Sequence, residues 1–213
     1  MKALLILDVA HGIDTPGKRS PDGKFLEYKY SRETARVLMN IFGRMKKGYE
    51  VVCPFVDHIN EPGLSNRVKH YNSLCDRYDF VFVFSLHNNA ASLLPKWSSA
   101  EGIEFWTDSE DDESDMLANI ISDKMREMLP AEKFRLNRSD DASKDKNFTV
   151  IHGYSLKGGG FVKRRYNAVL LETLFMDNIS DYNKLLSPEW AYEYRKVLVL
   201  ALNEVFKSKG YAN

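Results

Sequence analysis

Three short apolar runs, each ending abruptly on polar side chains, constrain the fold of this chain more than any other feature. Residues 3–7 stop at Asp8-Val9-Ala10-His11-Gly12, and residues 80–84 stop at Ser85-Leu86-His87-Asn88-Asn89-Ala90. Residues 168–171 deliver Glu172 in the same way. Runs that are apolar at consecutive positions suit strands covered on both faces, as in a buried sheet. Side chains just past the ends of such strands converge on one crevice, where ligands bind.

The rest of the chain alternates helix-like and strand-like patterns. This points to an α/β fold: one domain over residues 1–213, with a mostly parallel or mixed central sheet of about six strands and helices on both faces. A turn-rich loop, residues 12–23, leads into a helix over 27–46 with the stripe Leu26, Tyr30, Thr34, Val37, Leu38, Ile41 and Met45. A strand over 50–55 follows. A helix capped by Ser65 then carries Val68, Tyr71, Cys75 and Tyr78. Further strands are expected over 80–85, 102–106 and 168–173, with short candidates at 134–136 and 148–151. Ser109 or Asp111 opens a helix ending before Pro130. Ser187 caps, and Pro188 begins, a last helix reaching about Ser208.

At 213 residues the chain suits one domain with a full-sized core. Thirty basic residues balance thirty acidic ones, so no overall field favours nucleic acid. Cys53 and Cys75 form no CxxC pair, which excludes structural zinc on cysteines and leaves them as small buried hydrophobes. The first apolar run ends at Asp8 after five residues, short of the roughly 7–15 of a signal-peptide core. No run approaches transmembrane length. The expectation is cytoplasmic synthesis with no signal peptide and no membrane insertion.

His11, Glu27, His87 and Glu172 form the candidate site. Two histidines and one glutamate suffice for a catalytic zinc that keeps a position open for water. A second glutamate beside that water would be the proton carrier of a hydrolase. Glu27 reaches the crevice if the 12–23 loop folds back and sets the following helix start over the strand ends. A carboxylate such as Glu172, at the end of an apolar strand, is costly to bury unless paired or near a metal. His58 and His70 read as ordinary surface residues, whereas His152 could line the cleft. Gly158-Gly159-Gly160 lacks the Lys-Ser/Thr of a phosphate-binding loop and reads as a mobile loop near the cleft.

With these residues in place, the chain resembles the zinc-dependent N-acetylmuramoyl-L-alanine amidases of the amidase-3 type, found in cell-wall hydrolases and phage endolysins. The likeness spans nearly the whole length. It is carried by Asp8 with His11-Gly12, by the helix-opening Glu27, and by Leu64, Arg67 and Asn72. Ser85, His87, Asn89 and Ala90 follow, then Gly102-Ile103-Glu104, then Glu172, Phe175 and Asn178. The family usually has Pro-Gly where Val9-Ala10 stands, and Gly where Leu174 stands. Residues 137–165 align with no part of the family pattern.

The resemblance implies zinc on His11, Glu27 and His87, with Glu172 moving the proton from the attacking water to the departing amine. Asn88, Asn89 and Arg67 are expected to contact substrate or brace the site. The implied partner is peptidoglycan, cut between N-acetylmuramic acid and L-alanine, and the expected state is a monomer. A phage-type lysin released to the wall, or an exported enzyme with its signal trimmed, would fit. Two alternatives are a zinc peptidase or deacetylase acting on another amide, and a non-catalytic wall-binding domain.

Overall fold

The computed structural model describes residues 2–92, 94–110 and 113–212. Its centre is a six-stranded mixed sheet. Strands β1 (Ala3–Val9), β2 (Tyr49–Val52), β3 (Phe80–Asn89) and β8 (Asn167–Phe175) run parallel. Strands β4 (Glu104–Thr107) and β5 (Ser143–Asp145) run the other way, giving the order β2-β1-β3-β8-β4-β5.

Alternation along the strands explains why both faces are covered. Leu5, Leu7 and Val9 of β1 and Phe80, Phe82, Phe84 and Leu86 of β3 point to one face. That face is packed by α1 (Glu27–Arg44), α3 (Glu113–Met128), α5 (Ile179–Leu186) and α6 (Pro188–Ser208). Leu4, Ile6, Val81 and Val83 point to the other, beneath α2 (Leu64–Leu74) and α4 (Thr149–His152). Period two sends successive side chains to opposite layers, so an apolar run needs two helical covers.

Several expected boundaries move. The first helix ends at Arg44, the second strand spans 49–52, and β4 begins at Glu104. β3 continues past Ser85 through His87 to Asn89, so His87 lies on the strand and not beyond it. Helix α2 starts at Leu64 with Gly63 at its cap, and Ser65 does not cap it. Residues 148–151, expected as a strand, instead belong to α4 and its cap Phe148. Around 134–136 there is only a bridge between Ile103 and Phe134. Helix α3 begins at Glu113, after Ser109, and Asp111 lies outside the described residues. Ser187 does cap α6, accepting from the Trp190 N–H, with Pro188 in the first turn. The sequence reading missed α5, β5 and the hairpin of β6 (Gly153–Ser155) and β7 (Phe161–Lys163). The three glycines at 158–160 turn that hairpin, all at positive φ, beside α2.

The antiparallel register also relocates His152. β4 starts beside Glu172 and runs toward the opposite edge of the sheet, where Asp108 follows it. His152 lies 3.4 Å from Asp108, so it belongs to that far edge and not to the cleft.

Candidate metal centre

The site forms where β1, β3 and β8 end. Past β1 the chain turns through His11 at φ 47, a left-handed conformation that costs a non-glycine residue roughly 1–2 kcal/mol. Buried Arg32 of α1 clamps this turn, donating to the carbonyls of Ala10 (2.8 Å), His11 (2.6 Å) and His58 (2.9 Å). At Gly12 a Cβ would fall 2.1 Å from the Glu61 nitrogen, so only glycine lets the loop around residue 61 close over the turn. That closure brings Glu61 Oε2 to 3.1 Å from His11 Nδ1.

Glu27 arrives as the sequence suggested. The 12–23 loop folds back, and the Glu27 N–H bonds the Lys18 carbonyl (3.2 Å). Glu27 opens α1 and is fully buried, with Oε1 3.0 Å from His87 Nδ1 and 3.5 Å from His11 Nε2. The two imidazoles meet edge to face with centroids 5.0 Å apart. One ligand atom from each of His11, Glu27 and His87 lies within 4.8 Å of the others.

An extra residue in β8 shapes the rest. Opposite β3 the register passes from His87↔Glu172 to Asn89↔Phe175. Leu174, at φ 62, absorbs the surplus, a bulge of the kind that re-aims side chains beside active sites. Glu172 thereby sits between His87 on one neighbour strand and Glu104 on the other. Burial, reinforced by the charge of Glu27, pushes the Glu172 carboxyl well above the usual carboxylate range, while Lys18 opposes this.

Three buried atoms here have no hydrogen-bond partner among the described residues: His11 Nε2, Glu27 Oε2 and Glu172 Oε2. Buried polar atoms are almost always paired, so three unpaired ones facing one point fit a site built to hold a bound group. With Nδ1 donating to Glu61, His11 Nε2 carries its lone pair toward Glu27, the arrangement of a metal-binding histidine backed by a carboxylate. Two imidazoles and a carboxylate are a donor set that suits zinc.

The other expected site residues are held by the protein itself. Asn88 is buried, its backbone N–H bonds Glu27 Oε1 (3.1 Å), and its side-chain amide bonds the Thr173 carbonyl across the bulge. Arg67, 1% exposed, pairs with Asp8 (2.7 Å) and Glu61 (3.2 Å). Both are placed to brace, not to touch a substrate. Asn89 donates to Glu104 (2.8 Å). Glu61 and Arg32 were not singled out in the sequence. A glutamate one residue before Pro62 in a loop carries no signal of its own.

Known proteins agree with this architecture. A family model described as N-acetylmuramoyl-L-alanine amidase matches residues 5–204. No curated protein sequence matches the chain. Among solved structures, an N-acetylmuramoyl-L-alanine amidase from Clostridium difficile 630 superposes with a TM-score of 0.77 at 20% identity, covering 98% of each chain. The catalytic domain of the amidase CwlV from Bacillus (Paenibacillus) polymyxa var. colistinus gives 0.75 at 20% identity, covering 97% of this chain and 99% of that one. The catalytic domain of the CD27L endolysin, which targets Clostridia difficile, gives 0.59 at 21%, covering 96% and 97%. At such identities these likenesses speak for the fold, while the family match carries the assignment: the chain belongs to the N-acetylmuramoyl-L-alanine amidase family.

Proposed function

We propose that this chain hydrolyses the amide joining the lactyl group of N-acetylmuramic acid to L-alanine in peptidoglycan, with zinc held by His11, Glu27 and His87. The observation that carries the reading is the convergence of orphaned His11 Nε2 and Glu27 Oε2 with His87, beside the orphaned carboxyl oxygen of Glu172. When bound, zinc supplies a Lewis acid that polarises the scissile carbonyl and lowers a water's pKa from about 15.7 toward roughly 7.

The residues of the chain do the rest. Glu172 Oε2 takes the proton of the attacking water and passes it to the departing nitrogen. An amide needs this transfer, because an unprotonated amine anion is a very poor leaving group. Burial and the neighbouring Glu27 charge raise the Glu172 carboxyl, which favours its holding the proton between the two transfers. Glu61 fixes the His11 ring, and the Asn88 N–H fixes Glu27. Among the described residues no helix is long and apolar enough to cross a membrane.

Purified peptidoglycan tests the reading through its new end groups. Free L-alanine amino termini are expected, lost on chelation and restored by zinc. New reducing sugars or opened cross-links in their place would overturn it.

A further inference from the structure

We propose that Arg135, backed by Lys144, is a carboxylate-recognition subsite beside the reacting bond, so that the chain prefers a stem peptide with a free carboxylate next to L-alanine. This rests on the amidase reading. Glu104 lies directly across the β4/β8 ladder from Glu172, and residues so paired stand about 4.5–5.5 Å apart. Glu104 Oε1 accepts from both Arg135 Nε and Lys144 Nζ, while Oε2 accepts from Asn89. Two cations therefore share one buried carboxylate, and Lys144 alone balances its charge.

Arg135 spends only Nε on Glu104. Its two terminal nitrogens make no hydrogen bond among the described residues, and its side chain is 36% exposed. The guanidinium also lies over the ring of Phe175, 5.3 Å from the centroid, at the end of β8 just beyond Glu172. Its position is thus fixed from two sides, with the fork left over. A fixed guanidinium fork matches a carboxylate with two parallel hydrogen bonds. One residue of extended peptide spans about 3.3–3.6 Å. A peptide that runs from a scissile carbonyl at Glu172 across β4 carries the residue after L-alanine toward Glu104 and the cation paired with it.

Two soluble muramoyl peptides, differing only in a free carboxylate or a carboxamide on the residue after L-alanine, test this with the zinc-loaded protein. The carboxylate form should show a KM about tenfold lower, the contribution of one charge-assisted pair. Arg135→Gln should erase that difference through KM, leaving kcat within about twofold, and Arg135→Lys should restore part of it. Calorimetric titration of the two released peptides should show the same preference and its loss in Arg135→Gln. An equal loss on both substrates, or no loss on either, overturns the subsite. If the wild-type protein releases L-alanine amino termini from neither peptide, the amidase reading fails and the subsite falls with it.

Discussion

Two clusters of buried charge sit at the ends of β1 and β3, and they are finished differently. Around Asp8 every acceptor is filled. Oδ1 accepts from Arg67 (2.7 Å) and Tyr71 (2.6 Å), and Oδ2 accepts from Ser85 (2.5 Å). Burial alone would raise the Asp8 carboxyl, but Arg67 and the two hydroxyls more than offset it and hold it below the usual range. Around Glu27 and Glu172, one oxygen of each carboxylate, and His11 Nε2, have no hydrogen-bond partner among the described residues. A satisfied network of buried charge specifies structure, whereas an unsatisfied one at the same depth is held open for something the protein must bind. Arg67 joins the two regions through Glu61, which holds His11.

Substitutions at the open cluster should cost activity, and those at the closed one should cost stability. Glu172→Gln gives the largest effect, a fall in turnover of roughly 10²–10⁴-fold. Zinc content and the thermal midpoint should stay near wild type, and undiminished lysis would show that Glu172 carries no proton. Arg67→Leu leaves the buried Asp8 with two hydroxyl donors but no counter-charge, and should lower unfolding free energy by about 3–5 kcal/mol in urea titrations. The same pair sets an acid limit. Because the folded Asp8 pKa lies below its unfolded value of about 3.9, its contribution is complete above that pH and fades as pH falls through the folded value. The stability gap between wild type and Asp8→Asn should therefore narrow below about pH 3.9. A gap independent of pH would contradict the pairing.

Glu61→Gln probes the link between the clusters. Hydrogen bonds from His11 and Thr15 outweigh burial and bring Glu61 to about 2, so it is charged whenever His11 could bind metal. Zinc affinity should drop about 10–100-fold in a competition titration. The smallest effect belongs to Leu174→Gly. Glycine relieves roughly 1–2 kcal/mol of left-handed strain, but deleting a fully buried leucine costs about 2–5 kcal/mol. A net loss of about 1–3 kcal/mol is expected, and a net gain would show that strain dominates at the bulge.

What the sequence determined by itself was the sheet and its polar ends. Short apolar runs at consecutive positions, bounded by polar residues, suit buried strands, and a carboxylate buried at their ends is costly unless paired or functional. What it did not determine was anything settled between distant segments. Helix α1 shows this well. Of the expected stripe, Thr34 and Leu38 are buried and Tyr30, Ile41 and Met45 pack partly against the core, but the helix also buries Glu27, Ser31 and Arg32, which no apolar stripe includes. Val37 and Ile41 are left lining an open groove beside α6. Ser31 and Arg32 turn inward to the carbonyls of Ala10, His11 and His58, and Glu27 to His87 and the Asn88 N–H, and hydrophobic periodicity records none of these partners. Glu61 meets His11 across 50 positions of sequence, and Arg135 meets Glu104 across 31. Hydrophobic periodicity is written locally and survives in the sequence, whereas the pairing of buried charge depends on which loops the finished sheet brings together.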